Sequence, residues 1–186
     1  MGLFRASILC LAALAPALAH AQDADDVFTD AANGAKVHVA SRFVCPAKIG
    51  MFERDAVGER DPEESADFCA YSALDGVYGT ITLAPLKGPY DPKTALTPDF
   101  VEQEGTGGKT IAEAPMKLGD ASVYTRTYQT TSLEDIHYRV LFAASAVGPF
   151  AVQVTMEFAS PRDDAVEREF LNTVYASALK TIASAK

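Results

Sequence analysis

Histidine, basic residues and catalytic signatures are what this chain has least of. Of three histidines in 186 residues, His20 lies in the apolar N-terminal stretch, leaving His38 and His137 for imidazole chemistry in the body of the chain. No G-x-S-x-G occurs, which removes the strand-turn-helix presentation of a serine nucleophile, and Ser41, Ser72, Ser122 and Ser132 have no partner base visible in sequence. Cysteine is limited to Cys10, Cys45 and Cys69 without C-x-x-C spacing, so neither a redox pair of that type nor a short-spaced structural zinc site fits. With 16 Lys plus Arg against 25 Asp plus Glu, the chain lacks the clustered cations that displace phosphate counterions. That argues against nucleic acid and anionic membrane surfaces as partners.

Two further motifs fail on spacing. The run 105-GTGGKT-110 ends like a phosphate loop, but the position five before Gly108 is Gln103, where such a loop needs glycine. A helical pattern also precedes these glycines, whereas a phosphate loop opens a helix after them. The stretch reads as a flexible corner or the mobile rim of a binding surface. Carboxylates in 53-ERDAVGERDPEE-64 and 23-DADD-26 lack the alternating ligands and central glycine of a calcium loop, and read as solvated charge. No cofactor and no metal is expected. One metal arrangement stays open: His38 and His137 sit on the minority, less apolar face of alternating strands, and if those strands were neighbours the imidazoles could meet Glu134 or Asp135. Isolated surface histidines are the alternative.

What the chain does contain begins with its first 21 residues, MGLFRASILCLAALAPALAHA: one cation, an apolar stretch, and small residues before Gln22. This is the pattern of a secretory signal, too short to span a bilayer comfortably, and it predicts cleavage after Ala21 and a periplasmic or secreted product. Only one charge, Arg5, leaves with it, so 165 residues remain with a net charge of about −10, against −9 for the whole chain. Cys45 and Cys69 then form an even pair and, in an oxidising compartment, are expected to be bridged, stabilising the fold by about 3 kcal/mol.

Residues 22–34 are polar and acidic and predict a flexible N-terminal arm; 35–186 predict a single α+β domain. Alternation from Ala35 to Val44 predicts one strand ending at Cys45-Pro46, and Met51 to Val57 a second, with 58-GERDPEESAD-67 as an exposed loop. In FCAYSALDGVYGTITLAPL, Asp75-Gly76 suits a two-residue hairpin turn, which would set Tyr71 beside Tyr78. Thr97 and Pro98 suit the start of a short helix over 98–104. Gly119-Asp120 predicts a turn into SVYTRTYQT, where Tyr124, Arg126 and Tyr128 share one face, a tentative binding surface rich in residues favoured at contacts. Ile136, Tyr138, Val140, Phe142 and Ala144 share a face of the next strand, as do Phe150, Val152, Val154, Met156 and Phe158 of the one after Gly148-Pro149. Ser160-Pro161 with Asp163 predicts the cap of a final helix, whose stripe is Val166, Phe170, Val174, Ala178 and Ile182, widened by Leu171 and Leu179.

In element order, and in the ending FASPRDDAVEREFLNTVYASAL, the chain resembles the PsbP-like proteins. The resemblance covers most of residues 35–184. It implies a mostly antiparallel sheet with a long C-terminal helix packed on it as a sandwich, and a non-enzymatic adaptor or extrinsic-subunit role. The cysteine pair is not part of that family's general pattern, and no functional residue carries over. The leading expectation is a periplasmic interaction module for an envelope protein or small ligand, without membrane insertion. The alternatives are an envelope hydrolase using a carboxylate or His137, and a small-ligand or metal carrier.

Overall fold

The computed structural model describes residues 27–98, 108–131, 137–159 and 163–184. Period-two alternation governs most of them. Strands β1 (Phe28–Asp30), β2 (Lys36–His38) and β3 (Val44–Cys45) make a small antiparallel sheet. The large sheet holds β4 (Lys48–Ile49), β5 (Phe52–Asp61), β6 (Ala66–Ala73), β7 (Val77–Pro85), β8 (Lys109–Leu118), β9 (Ala121–Thr131), β10 (His137–Val147) and β11 (Phe150–Ala159). Its order is β4-β5-β6-β7-β11-β10-β9-β8, antiparallel at every pairing. One long helix follows, Asp164–Thr181.

This corrects the α+β expectation. Of the described residues 55% lie in strands and 21% are helical, so they form mostly antiparallel β-sheet, in two sheets, with one long helix. Much of the difference comes from segments whose charge reads as loop. Residues 58–67 are not a loop: β5 runs to Asp61, the chain turns over 62–65, and β6 starts at Ala66. The Asp61 carboxylate accepts from the backbone N–H of Glu63 and Glu64 and holds this turn. Charged residues are at home in β5 because only the two-residue β4 flanks its outer side, and strands near a sheet edge tolerate charge on both faces. At the other edge the short strand that KTIAEA suggests extends, for the same reason, to the ten-residue β8.

The strand expected from Ala35 to Val44 is also broken. Arg42 takes a left-handed φ of 63°, folding the segment into the β2–β3 hairpin, and part of the expected arm, Phe28 to Asp30, pairs with β2 as β1. Phe28 is buried. The helix expected over 98–104 lies outside the described residues from 99 on. Before it, a single helical turn stands at Pro92–Ala95, with the Asp91 side chain accepting from the Lys93 N–H.

The C-terminal helix is capped by Asp163, whose Oδ1 accepts from Ala165 and Val166 N–H at 3.0 and 3.2 Å. Asp163 thus takes the capping role expected of Ser160, which lies outside the described residues. Phe170, Leu171, Val174, Tyr175 and Ala178 are buried on the large sheet. The Phe170 ring stands edge-on to Phe52 and Tyr71, centroids 4.8 and 5.6 Å away. It lies so close over β7 that a Cβ on Gly79 would meet its Cζ at 2.8 Å. The small sheet covers the same side: the disulfide Cys45–Cys69 ties β3 to β6, and Arg54 donates to the carbonyls of Cys45 and Gly34 at 2.8 and 2.7 Å. No helix among the described residues is long and apolar enough to cross a membrane.

Candidate functional site

Helix and small sheet cover one face of the large sheet, and the other face carries the candidate site. Side chains alternate across a strand, so cross-strand pairs assign the faces. Ile81, Val154 and Ala143 stand in one row, as do Leu83, Val152 and Ser145, all toward the helix. Opposite them lie Phe68, Ala70, Thr80, Thr155, Val140 and Phe142. These six, with Arg60 and Glu157, line a cavity of about 340 Å³. Across the strands its lining runs Ala70, Thr80, Thr155, Phe142, so two threonines stand between apolar residues, and its charged residues have opposite signs. Arg60 also donates to the Thr82 hydroxyl at 3.1 Å.

The tentative surface Tyr124, Arg126 and Tyr128 belongs to this same helix-free face, opposite Ala144, Phe142 and Val140. It is not an open surface, however: Tyr128 is fully buried and Arg126 is 3% exposed. Leu96, just past the helical turn, packs with Tyr128, Val140 and Phe142, and the half-buried Tyr90 hydroxyl accepts from Gln153 Nε2 at 3.2 Å. The connector around residues 90–96 therefore covers the β9–β10 half of the face, whereas the cavity occupies the half built on β6, β7, β11 and β10. Arg126 Nη2 pairs with Glu113 at 2.8 Å, and its guanidinium carbon stands 5.8 Å from the Tyr124 ring centre. Such a contact is a cation–π attraction.

The hairpin pairing of Tyr71 with Tyr78 is not formed. The β6–β7 loop has three residues, Leu74–Gly76, so Ala73 pairs with Val77 and Tyr78 with Ser72. An offset of one residue exchanges faces: Tyr71 is buried under Phe170 and Tyr78 is exposed. Lys109 and Thr110 of the glycine-rich run open a strand rather than a helix.

His38 and His137 are not on neighbouring strands. His38 is in the small sheet and His137 opens β10 of the large one. Nor is His38 a surface residue. At 1% exposure it sits between Phe28 and Phe150, ring centres 5.1 and 6.0 Å away. Its Nε2 is 2.8 Å from Asp67 Oδ2 and its Nδ1 is 2.6 Å from Ser41 Oγ. The Ser41 N–H points at Nδ1, so that nitrogen bears the lone pair and Nε2–H donates to Asp67. Burial lowers the His38 pKa from its ordinary 6.5, while the Asp67 hydrogen bond and charge oppose the shift. The imidazole is therefore a neutral bridge between the two sheets. A Ser–His–Asp chain of this kind can activate a hydroxyl, but Ser41 is buried and its Oγ accepts from the Phe43 N–H at 3.1 Å, which fixes it as part of the β2–β3 turn.

The cavity residues escaped sequence reasoning because Arg60 was assigned to a loop and Thr80 and Thr155 occupy the less apolar face of their strands. The alternation in VYGTITLAP already carried the signal for Thr80. The Ser41–His38 pair was visible as an i, i+3 spacing, but only a turn brings it together. No protein-family model matches the chain, and no curated protein matches it.

Proposed function

We propose that this is an exported, non-enzymatic binding module that works through the helix-free face of its large sheet. The observation that carries the reading is the cavity of about 340 Å³ between Phe68 and Phe142. Its size falls within the usual range for small-ligand sites, and apolar residues around a few polar groups are their usual chemistry. The signal-like leader and the Cys45–Cys69 bridge support a periplasmic or secreted location, where such a bond persists. The ligand is a small amphipathic molecule, or an apolar side chain presented by an envelope partner.

Native mass spectrometry of protein released from the envelope is expected to show bound material that an Ala70→Phe variant, filling the cavity, loses. Identical spectra for both proteins, together with no repeatable partner under mild crosslinking, would remove the reading. A hydrolase reading has one observation in its favour, the Ser41–His38–Asp67 chain. A fluorophosphonate probe is expected to leave Ser41 unlabelled; stoichiometric labelling there would favour the enzyme.

A further inference from the structure

Three buried side-chain polar atoms have no hydrogen-bond partner among the described residues: Arg126 Nε, Arg126 Nη1 and Thr110 Oγ1. They belong to the neighbouring strands β8 and β9. Thr110 stands opposite Tyr128, two positions from Arg126 on β9, so both side chains belong to the helix-free face near the β8 edge. Leaving buried donors of a charged group unmet is costly, and such orphans in a native fold call for a ligand or water. Glu113 answers one guanidinium nitrogen only. Arg126 is also the direct cross-strand neighbour of Phe142, which lines the cavity, and one strand spacing is about 4.8 Å.

We infer that Arg126 and Thr110 anchor the carboxylate of an amphipathic acid whose apolar body runs past Phe142 into the cavity. This rests on the binding role proposed above and narrows it to an anionic ligand. The free N–H groups of Arg126 supply charge-assisted hydrogen bonds and the Thr110 hydroxyl a neutral one. Val140, Phe142 and Phe68 take the chain. A cationic head group would meet the guanidinium and be rejected.

The test compares decanoate with decan-1-ol, titrated calorimetrically into the full mature protein. Decanoate is expected to bind about tenfold tighter or more, since losing a hydrogen bond to a charged group is worth at least that factor. Arg126→Gln and, should that variant fold poorly, Thr110→Val are expected to erase or reduce the preference for acid over alcohol. In the wild-type protein the Arg126 Nε–H resonance should shift on adding decanoate. Equal affinity for acid and alcohol, or an Nε–H signal that exchanges with water and ignores decanoate, would overturn the anchor and leave the binding module standing. Failure of both probes to bind, in protein that still carries native material lost on Ala70→Phe, would likewise overturn only the anchor. Failure of both probes with no native material either would remove the two proposals together.

Discussion

The two faces of the eight-stranded sheet are made from the same strands but have opposite fates. Toward the helix, Ile81, Leu83, Val152, Val154 and Met156 are sealed under Phe170, Leu171, Val174 and Tyr175. Away from it, Thr80, Thr155 and Ala70 alternate with them and line an open cavity. The first face is selected for packing and the second is free to carry chemistry. Strand β10 belongs to both: Val140 to Ser145 is buried throughout, with odd and even residues serving different layers.

Mutations should separate the faces by the size of their effects. Phe170→Ala removes the ring that joins the helix to Phe52 and Tyr71. It is expected to cost about 3–5 kcal/mol in denaturant unfolding, the largest single loss. A loss below about 1 kcal/mol would show that the helix does not close this core. Next, the double variant Cys45→Ala, Cys69→Ala, which frees the small sheet from β6 on that same covered side, should cost about 3 kcal/mol and leave cavity-ligand binding intact.

A smaller effect comes from His38, again on the covered side. Its pKa is lower folded than unfolded, so below pH 6.5 the unfolded chain takes a proton that the folded one refuses. Stability should be insensitive to His38 above that pH and fall beneath it, by at most about 1.4 kcal/mol per pH unit, until the folded pKa is reached. Stability curves of a His38→Gln variant should lack this component. The smallest effect is expected on the open face, where Thr155→Val should change stability by about 0.5 kcal/mol or less while altering what the cavity holds. If it destabilises as much as the disulfide variant, the two faces are not functionally distinct.

Much of this contrast was legible beforehand, and the exceptions have physical causes. The helix stripe from Phe170 to Ile182 and the Gly148-Pro149 hairpin were readable because their periodicity is local. In contrast, β10 was assigned one apolar face, through Val140, Phe142 and Ala144, although Leu141 and Ala143 are equally buried on the other. A continuous apolar run does not say which side meets which layer. For Tyr71 and Tyr78, one additional loop residue, Leu74, shifts the register by one and so puts the two side chains on opposite faces. Tyr124, Arg126 and Tyr128 were correctly grouped on one face, yet Leu96, which packs with Tyr128 there, is more than twenty residues away in sequence.

By itself, the sequence determined the alternating strands, the amphipathic closing helix, the cysteine pair free to bridge, and the want of any nucleotide-loop or serine-elbow signature, because each depends on neighbours within a few positions. Tertiary structure alone decided that Ser41, His38 and Asp67 join two sheets, that Arg126 is buried with unmet N–H groups, and that Phe68 and Phe142 bound a common cavity. Those facts follow from strand order and register, and pairing distant strands is a choice that local periodicity does not encode.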